Sequence, residues 1–173
     1  MAEKAKDKSL YALAVARISI GLILLWAFFD KLVGLGFTTC RDMKTNVVST
    51  MCDSAWLNGG SPTTGFLKNA TKGPFEGIFQ ALANNTLVDW LFMLGLLGIG
   101  MALTFGIAMK AGSYSGVALL LLMWLAVLPP EHHPVIDEHI VYAAVLVALA
   151  NMKDHKWSLQ AQYKKSFLSK YIN

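Results

Sequence analysis

Four apolar stretches divide the chain, and each is long enough, or nearly so, to cross a bilayer as a helix, which takes about 20 residues. We place these stretches at about residues 10–37, 87–109, 111–128 and 135–151. Pro129 and Pro130 stop the third stretch because proline cannot continue a helix. Thr86 and Asp89 form a pattern that caps the start of the second. The sequence therefore predicts an all-α integral membrane protein, a bundle of four transmembrane helices in a single domain, residues 1–173.

The polar segments between and after these stretches suggest further elements. A long loop, residues 38–85, follows the first stretch, and residues 74–84 within it place their apolar side chains on one helical face, which predicts a short amphipathic helix. Cys40 and Cys52 lie in the same loop, and we expect them to form a disulfide in an oxidising compartment. Residues 152–173 mix aromatic residues with lysines and predict an amphipathic tail along the membrane surface.

Positive charge predicts the orientation of the spans. The larger group, at the chain termini and between the second and third spans, consists of Lys4, Lys6, Lys8, Lys110, Lys153, Lys156, Lys164, Lys165 and Lys170. The smaller group lies in the long loop and consists of Arg41, Lys44, Lys68 and Lys72. Because Lys and Arg accumulate on the cytoplasmic side, we expect a multi-pass protein of the cell membrane with both termini cytoplasmic. The long loop and residues 129–134 then face outward.

Composition agrees with this class. Hydrophobic residues make up 55% of the chain and charged residues 15%, well below the roughly 25% charged residues of a soluble domain. The partner that this composition demands is the lipid bilayer. The formal net charge of +4 reflects the orienting lysines and does not indicate nucleic-acid binding.

Small residues recur at helical spacing within three of the spans, where they allow close helix approach. They are Gly95, Gly98, Ala102 and Gly106 in the second span, Gly112 and Gly116 in the third, and Ala144 and Ala148 in the fourth. Two interpretations follow: packing within one bundle, or a seam between copies in a homo-oligomer.

The densest group of ionisable residues lies between the third and fourth spans. It contains Glu131, His132, His133, Asp137 and His139. Histidine beside carboxylates can relay protons, which makes Glu131, Asp137 and His139 the candidate catalytic residues. Metal binding by His132, His133 and His139 is an alternative, but their spacing matches no specific metal signature, so we predict no metal. A solvated loop with helix-capping acids is the third interpretation.

Charges within the first span form the second candidate site. Arg17 and Lys31 are fourteen residues apart, close to four helical turns, so they project to similar faces, whereas Asp30 points away from both. In one interpretation Arg17 and Lys31 extend to the headgroups. In the other, charges of this span face the bundle and hold an anion or a quinone carbonyl. His155, beyond the fourth span, is expected to be a solvated residue of the tail.

The segments that carry a family resemblance are spread along most of the chain. They are residues 16–21, 30–32, 55–63, 73–75, 88–92, 128–131 and 137–139. With these segments the chain resembles the DoxX/DoxD family of four-helix membrane proteins. It departs from the family at His132 and His133, where amides are expected, and in the segment between Cys40 and Cys52.

The resemblance implies a function. DoxD is a subunit of a membrane thiosulfate:quinone oxidoreductase, which oxidises thiosulfate to tetrathionate and passes the electrons to quinone. By this resemblance the chain is an oxidoreductase or a subunit of one, with quinone as electron acceptor, no covalently bound cofactor and a second redox subunit as partner. Arg17, Lys31 and Asp30 are then the expected quinone or substrate contacts. Other relatives act as membrane chaperones or cargo receptors, so a non-catalytic, partner-binding subunit is the alternative.

Overall fold

The computed structural model describes residues 2–42 and 44–160, with side chains from residue 8 onward. These residues form six α-helices, and no strand occurs among them. The helices are α1 (Ala2–Val33), α2 (Thr64–Asn69), α3 (Glu76–Ala81), α4 (Thr86–Phe105), α5 (Met109–Ala126) and α6 (Glu138–Ala150). Two short 3₁₀ helices, Trp56–Asn58 and Gly73–Phe75, lie in the long loop. The all-helical class predicted from the sequence is confirmed.

The helix ends differ from the predicted ones for identifiable reasons. α1 stops at Val33 and not at residue 37, because Gly34 adopts a left-handed conformation (φ 71°) that favours glycine. α4 stops at Phe105 and not at residue 109, because Gly106 (φ 66°) does the same. α5 ends two residues before the predicted 128. α6 begins at Glu138 and not at 135, because Asp137 is its N-cap.

The prediction that Thr86 caps α4 was wrong. The N-cap is Asn85, whose side-chain oxygen accepts a hydrogen bond from the Leu87 N–H at 3.0 Å. An N-cap oxygen of this kind satisfies a backbone donor that the helix itself leaves open. Thr86 is the first helical residue. Because Asp89 does not take part in the cap, its carboxylate can make the contacts described below.

The four long helices pack around one apolar core. α4 lies against α1 and α5, and α6 lies against α5 and α1. Their buried side chains recur every three or four residues, as one face of a helix requires. The core contains Ile20, Leu24 and Phe28 of α1, Met93, Leu96, Ile99 and Leu103 of α4, Met109 and Leu120 of α5, and Ala143, Leu146 and Leu149 of α6.

Glycines bring these helices close together. A Cβ on Gly21 of α1 would lie 2.7 Å from the backbone nitrogen of Thr104 on α4, and one on Gly112 of α5 would lie 2.5 Å from the Ala102 Cβ. Gly112 therefore packs within the molecule, in agreement with the first of the two interpretations of the small-residue pattern. Gly95 and Gly98 differ, because a Cβ on either would meet nothing within 4 Å.

Three of the helices are long and apolar enough to cross a membrane: Lys8–Val33, Thr86–Phe105 and Met109–Ala126. Only 33%, 39% and 33% of their most apolar windows are buried, so more than half of each window is exposed or half-buried, and many of these positions carry apolar side chains. Trp26, Leu91 and Leu122, for example, are each more than half exposed. An apolar exterior of this extent indicates an interaction surface or a membrane. α6 is apolar but shorter, with 13 residues.

The molecule has two distinct ends. At one end, which we name the loop end, lie the long loop after α1 and the turn of residues 127–137 between α5 and α6. At the other, which we name the tail end, lie the α4–α5 turn and the segment after α6. Residues 152–157 of the predicted amphipathic tail are not helical; residues 161–173 lie outside the described residues.

Candidate functional site

Arg17 lies at the tail end and is fully buried, with 0% of its surface exposed. Its guanidinium donates to the backbone oxygens of Leu103 at 2.5 Å and Thr104 at 3.4 Å in the last turn of α4. It also donates to the oxygens of Lys156 at 3.1 Å and Trp157 at 2.9 Å beyond α6. A helix C-terminus has carbonyls without intrahelical partners and partial negative charge. Arg17 therefore connects three segments, and the interpretation that it extends to the headgroups was wrong.

Asp30 and Lys31 lie at the loop end of α1 and differ in environment. Asp30 is fully buried and accepts hydrogen bonds from the N–H groups of Phe37 and Thr38, both at 2.9 Å, and from the Thr38 hydroxyl at 2.7 Å. Its carboxylate thus closes the turn that follows α1. The half-buried Lys31 extends its ammonium to within 3.1 Å of Thr38 Oγ1 in an exposed position. Contact of these residues with a quinone or an anion stays a prediction. Lys31 is better placed for such a contact than the buried Asp30, because its ammonium is exposed.

The turn before α6 places the predicted catalytic residues at the surface. Asp137 Oδ1 accepts from the His139 N–H at 3.0 Å, and Asp137 Oδ2 lies 2.8 Å from His139 Nδ1. The pair is partly buried, whereas Glu131 is exposed. His133 Nδ1 accepts from the N–H groups of Val135 and Ile136 and so orders the turn. The structure brings Asp137 and His139 together and leaves Glu131 outside their contact.

No metal site exists here among the described residues, because nowhere in those ranges do three His, Cys, Asp or Glu side chains come close enough to hold an ion. The alternative in which His132, His133 and His139 bind a metal therefore has no structural support. His133 directs its Nδ1 to the backbone of its own turn, and His139 pairs with Asp137.

The disulfide predicted between Cys40 and Cys52 is present, with a Cα–Cα distance of 5.7 Å. It closes a hairpin in which Arg41 bridges to Val48. At the tip, the N–H groups of Thr45 and Lys44 donate to the Asp42 carboxylate and hold its pKa below the usual range. These contacts indicate a structural hairpin.

An apolar concavity lies between α4 and α5, under the short helices α2 and α3. We name it the α4–α5 groove. Its volume is about 380 Å³, within the size range of small-molecule sites. Along α4 it runs from Val88 to Ile99, roughly 16 Å at the helical rise. Thirteen of its fifteen lining residues are apolar; the two polar ones are Thr63 and Ser115. Gly95 lines the wall, so the absence of a side chain there leaves the groove open.

A network of hydrogen-bonded polar side chains lies at the loop end of this groove. Asp89 of α4 is buried, and its Oδ1 accepts from Ser61 Oγ at 2.8 Å and Thr63 Oγ1 at 2.5 Å. Ser61 Oγ lies 2.7 Å from Thr64 Oγ1, which accepts from the Asn84 N–H at 2.9 Å. Sequence reasoning missed this site, because it joins positions more than 20 residues apart. The one available signal was Asp89 itself, a carboxylate near the start of an apolar span.

His155 is half-buried at the tail end and is not the solvated residue that the sequence predicted. Burial lowers its pKa from the usual value, and the nearby positive charge of Arg17 lowers it further, while Asp154 opposes the shift. Trp157 packs its ring against Tyr11 of α1 with centroids 5.3 Å apart. The described part of the tail is thus docked on the helices.

Comparison of the chain with models of protein families, with curated proteins and with solved structures found no match.

Proposed function

We propose that the protein is a four-span membrane protein of quinone-linked redox metabolism, and that the α4–α5 groove holds the quinone. The observation that carries this proposal is the groove: apolar walls formed by two helices that can cross a membrane, and a hydrogen-bonded polar network at one end. A quinone has the same division, with a polar ring and an apolar tail. The DoxX/DoxD resemblance supplies the reaction class, the oxidation of small sulfur compounds such as thiosulfate.

In the proposed topology α6 is the fourth span, and the loop end faces outward. Several features support this arrangement. α6 packs against α5 and α1, and the segment after it reaches Arg17 at the tail end. Its 13 residues cover roughly 20 Å at the helical rise, and the turn before it and the segment after it add length. The lysines of the termini and of the α4–α5 turn then lie in the cytoplasm.

The overall reaction balances without a bound cofactor. Two thiosulfate ions join through a new S–S bond to give tetrathionate and release two electrons. Quinone takes up these two electrons with two protons and becomes quinol. Asp137, His139 and Glu131, at the loop end, are the proposed proton-exchanging residues, and Lys31 is the proposed contact for the sulfur oxyanion. Arg17 and Asp30 have structural roles in this proposal, since Arg17 donates to backbone oxygens and Asp30 accepts from the turn that follows α1.

Filling the groove tests the proposal. Gly95→Leu adds a side chain where a Cβ meets nothing within 4 Å and where the groove has its wall. Gly98→Leu is the matched control, because Gly98 is on the same helix and equally open but does not line the groove. Both proteins are reconstituted in lipid discs, alone and with any candidate redox subunit encoded next to them, and thiosulfate-dependent reduction of a quinone analogue is followed optically.

We expect Gly95→Leu to raise the KM for the quinone analogue about tenfold or more, which corresponds to about 1.4 kcal/mol of lost binding. Gly98→Leu should leave the KM unchanged. Failure of the unmodified protein to reduce the analogue with thiosulfate, with and without the partner subunit, would reject the redox function.

A second function is favoured by a different observation. The long loop exposes large apolar side chains, including Phe37 at 67%, Ile78 at 65% and Leu57 at 60%, and exposed apolar groups of this kind often contact a partner. In this alternative the protein is a non-catalytic subunit that docks a partner through its loop. Leu57→Asp and Ile78→Asp would then release a defined partner subunit. His139→Gln, which retains the Asp137 helix cap, would have no effect on turnover by the assembled complex.

A further inference from the structure

The hydroxyl groups at the loop end of the groove have a fixed direction. Ser61 and Thr63 both donate their hydroxyl hydrogen to Asp89 Oδ1, and each hydroxyl has only one hydrogen to donate. The Ser61 oxygen is then an acceptor for Thr64, 2.7 Å away. Asp89 therefore fixes the direction of the Ser61 and Thr63 hydroxyls, while the Thr64 hydroxyl lies within donating distance of both Ser61 Oγ and Asn84 Oδ1.

This direction determines what Thr63 can offer to a molecule in the groove. Thr63 is 5% exposed and lines the groove, but its hydroxyl hydrogen is already donated to Asp89. Only the lone pairs of its oxygen remain. A ligand group that reaches Thr63 Oγ1 from the groove must therefore donate a hydrogen bond to it. Quinol carries two hydroxyl donors, whereas the quinone carbonyls can only accept.

We infer that the α4–α5 groove selects the reduced form of the quinone couple, with a quinol hydroxyl donating to Thr63 Oγ1 and the apolar tail lying between α4 and α5. This inference rests on the proposed function and names the redox form that its site binds more tightly. Asp89 is a positioning residue in this arrangement, since it acts through Thr63. A phospholipid chain fits the apolar walls but brings no donor to Thr63.

Selection of quinol can be measured directly as a ratio of affinities. The full chain, in lipid discs of saturated phospholipid under anaerobic conditions, is titrated calorimetrically with a short-tailed ubiquinone analogue and with its quinol. One added hydrogen bond favours the quinol, and we expect it to bind roughly fivefold to tenfold more tightly than the quinone. Thr63→Val, which keeps the side-chain shape, should remove this preference by weakening quinol binding while quinone affinity stays within about twofold.

Two variants separate this effect from a loss of structure. Thr63→Ser retains the hydroxyl and should retain the preference. Thr71→Val removes another buried hydroxyl of the same loop, one that donates to the Leu67 oxygen and does not line the groove, and should also leave the preference intact. Quinone affinity in Thr63→Val serves as an internal measure of folding.

The outcomes distinguish the inference from the proposed function. Equal binding of the two forms by the unmodified protein, or a preference that survives Thr63→Val, overturns the inference even where thiosulfate-dependent turnover persists. Selective quinol binding without turnover supports the groove assignment and rejects the redox function. Binding of neither form, with phospholipid retained in the groove, overturns both.

Discussion

Arg17 is the residue on which the tail end depends most. Its guanidinium is the shared donor for the end of α4 and for the segment after α6. Replacement by leucine leaves these carbonyls without their buried donor, and a buried group without a partner costs about 1–3 kcal/mol. We therefore expect Arg17→Leu to lower the free energy of unfolding in detergent by about 3 kcal/mol, measured by denaturant titration of the helical signal.

The matched control is Lys110→Leu, which removes a positive charge at the same end from an exposed position and should change stability little. Arg17→Lys should recover only part of the loss, because an ammonium lacks the planar fork that serves two acceptor groups at once. Equal stability of Arg17→Leu and Lys110→Leu would contradict the structural role of Arg17.

His155 should make the tail end sensitive to acid. Its pKa in the folded protein is lowered by burial and by Arg17, so the unfolded chain, with a pKa near 6.5, takes up a proton more readily. Stability contributed by this group is present above about pH 6.5 and is lost as pH falls through the lower, folded-state pKa. We expect the Tm of the unmodified protein to fall more steeply than that of His155→Gln below about pH 6.5, with parallel curves above pH 7. Coincident curves down to pH 5 would show that His155 does not control this loss.

At this scale the sequence showed which residues were unusual but not what they contact. Charges at Arg17 and Asp30 within an apolar stretch are visible by inspection. Their partners are mostly backbone groups, joined by the Thr38 hydroxyl in the case of Asp30, and those of Arg17 lie 86 to 140 positions away. Backbone groups look the same at every position of a sequence, so a structural role for these charges could not be told from a binding role.

Among the elements, the turn between α4 and α5 depends on Gly106. Its φ of 66° costs another residue about 1–2 kcal/mol. A Cβ there would also lie 2.4 Å from the Ser158 Cβ and 2.6 Å from Arg17 Nη1. We expect Gly106→Ala to destabilise the protein by at least about 2 kcal/mol, measured by denaturant titration.

Gly98→Ala provides the comparison at this scale, because Gly98 is helical and a Cβ there meets only open space. Alanine should be neutral or stabilise α4 by up to about 1 kcal/mol. A Gly106→Ala protein as stable as Gly98→Ala would mean that the segment after α6 does not pack on this turn.

The positions of the long helices were predictable, because apolar stretches of this length have few alternatives. Their ends were less predictable. Gly34 and Gly106 end helices, whereas Gly21, Gly100 and Gly112 lie at close helix crossings, and one sequence does not distinguish these uses. The predicted seams also combined packed and open positions: Gly112 faces a neighbouring helix, Gly95 lines the groove, and Gly98 is open.

At the scale of the whole molecule, the groove could not be read from the sequence. Its walls come from α2, α3, α4 and α5, and its polar end joins Ser61 and Thr63 to Asp89. Periodicity within one helix identifies which face is apolar. It does not show whether two apolar faces pack in contact or leave a groove between them. Gly95 keeps the groove open, but in the sequence it resembled a packing residue, because the sequence does not show whether a glycine faces another helix or a groove.

Topology is the property of the whole molecule on which the proposed function depends, and α6 decides it. If α6 crosses the membrane, the turn before it and the segment after it lie on opposite sides. Cysteines introduced at the exposed positions Glu131 and Lys153 report on the two sides. The native Cys40 and Cys52 are joined in a disulfide and give no background. The reagent is a membrane-impermeant maleimide applied to intact cells, with the parent chain as control.

We expect Glu131→Cys to be labelled on intact cells and Lys153→Cys only after the membrane is permeabilised, because the proposed topology places the lysines of the tail end in the cytoplasm. The reverse pattern would invert the molecule and place the long loop inside. Labelling of both positions on intact cells would mean that α6 does not cross. Three spans would then put the two chain termini on opposite sides. Arg17 forbids such an arrangement as long as it holds Lys156 and Trp157 beside the end of α4, so the labelling pattern also tests that contact in the membrane.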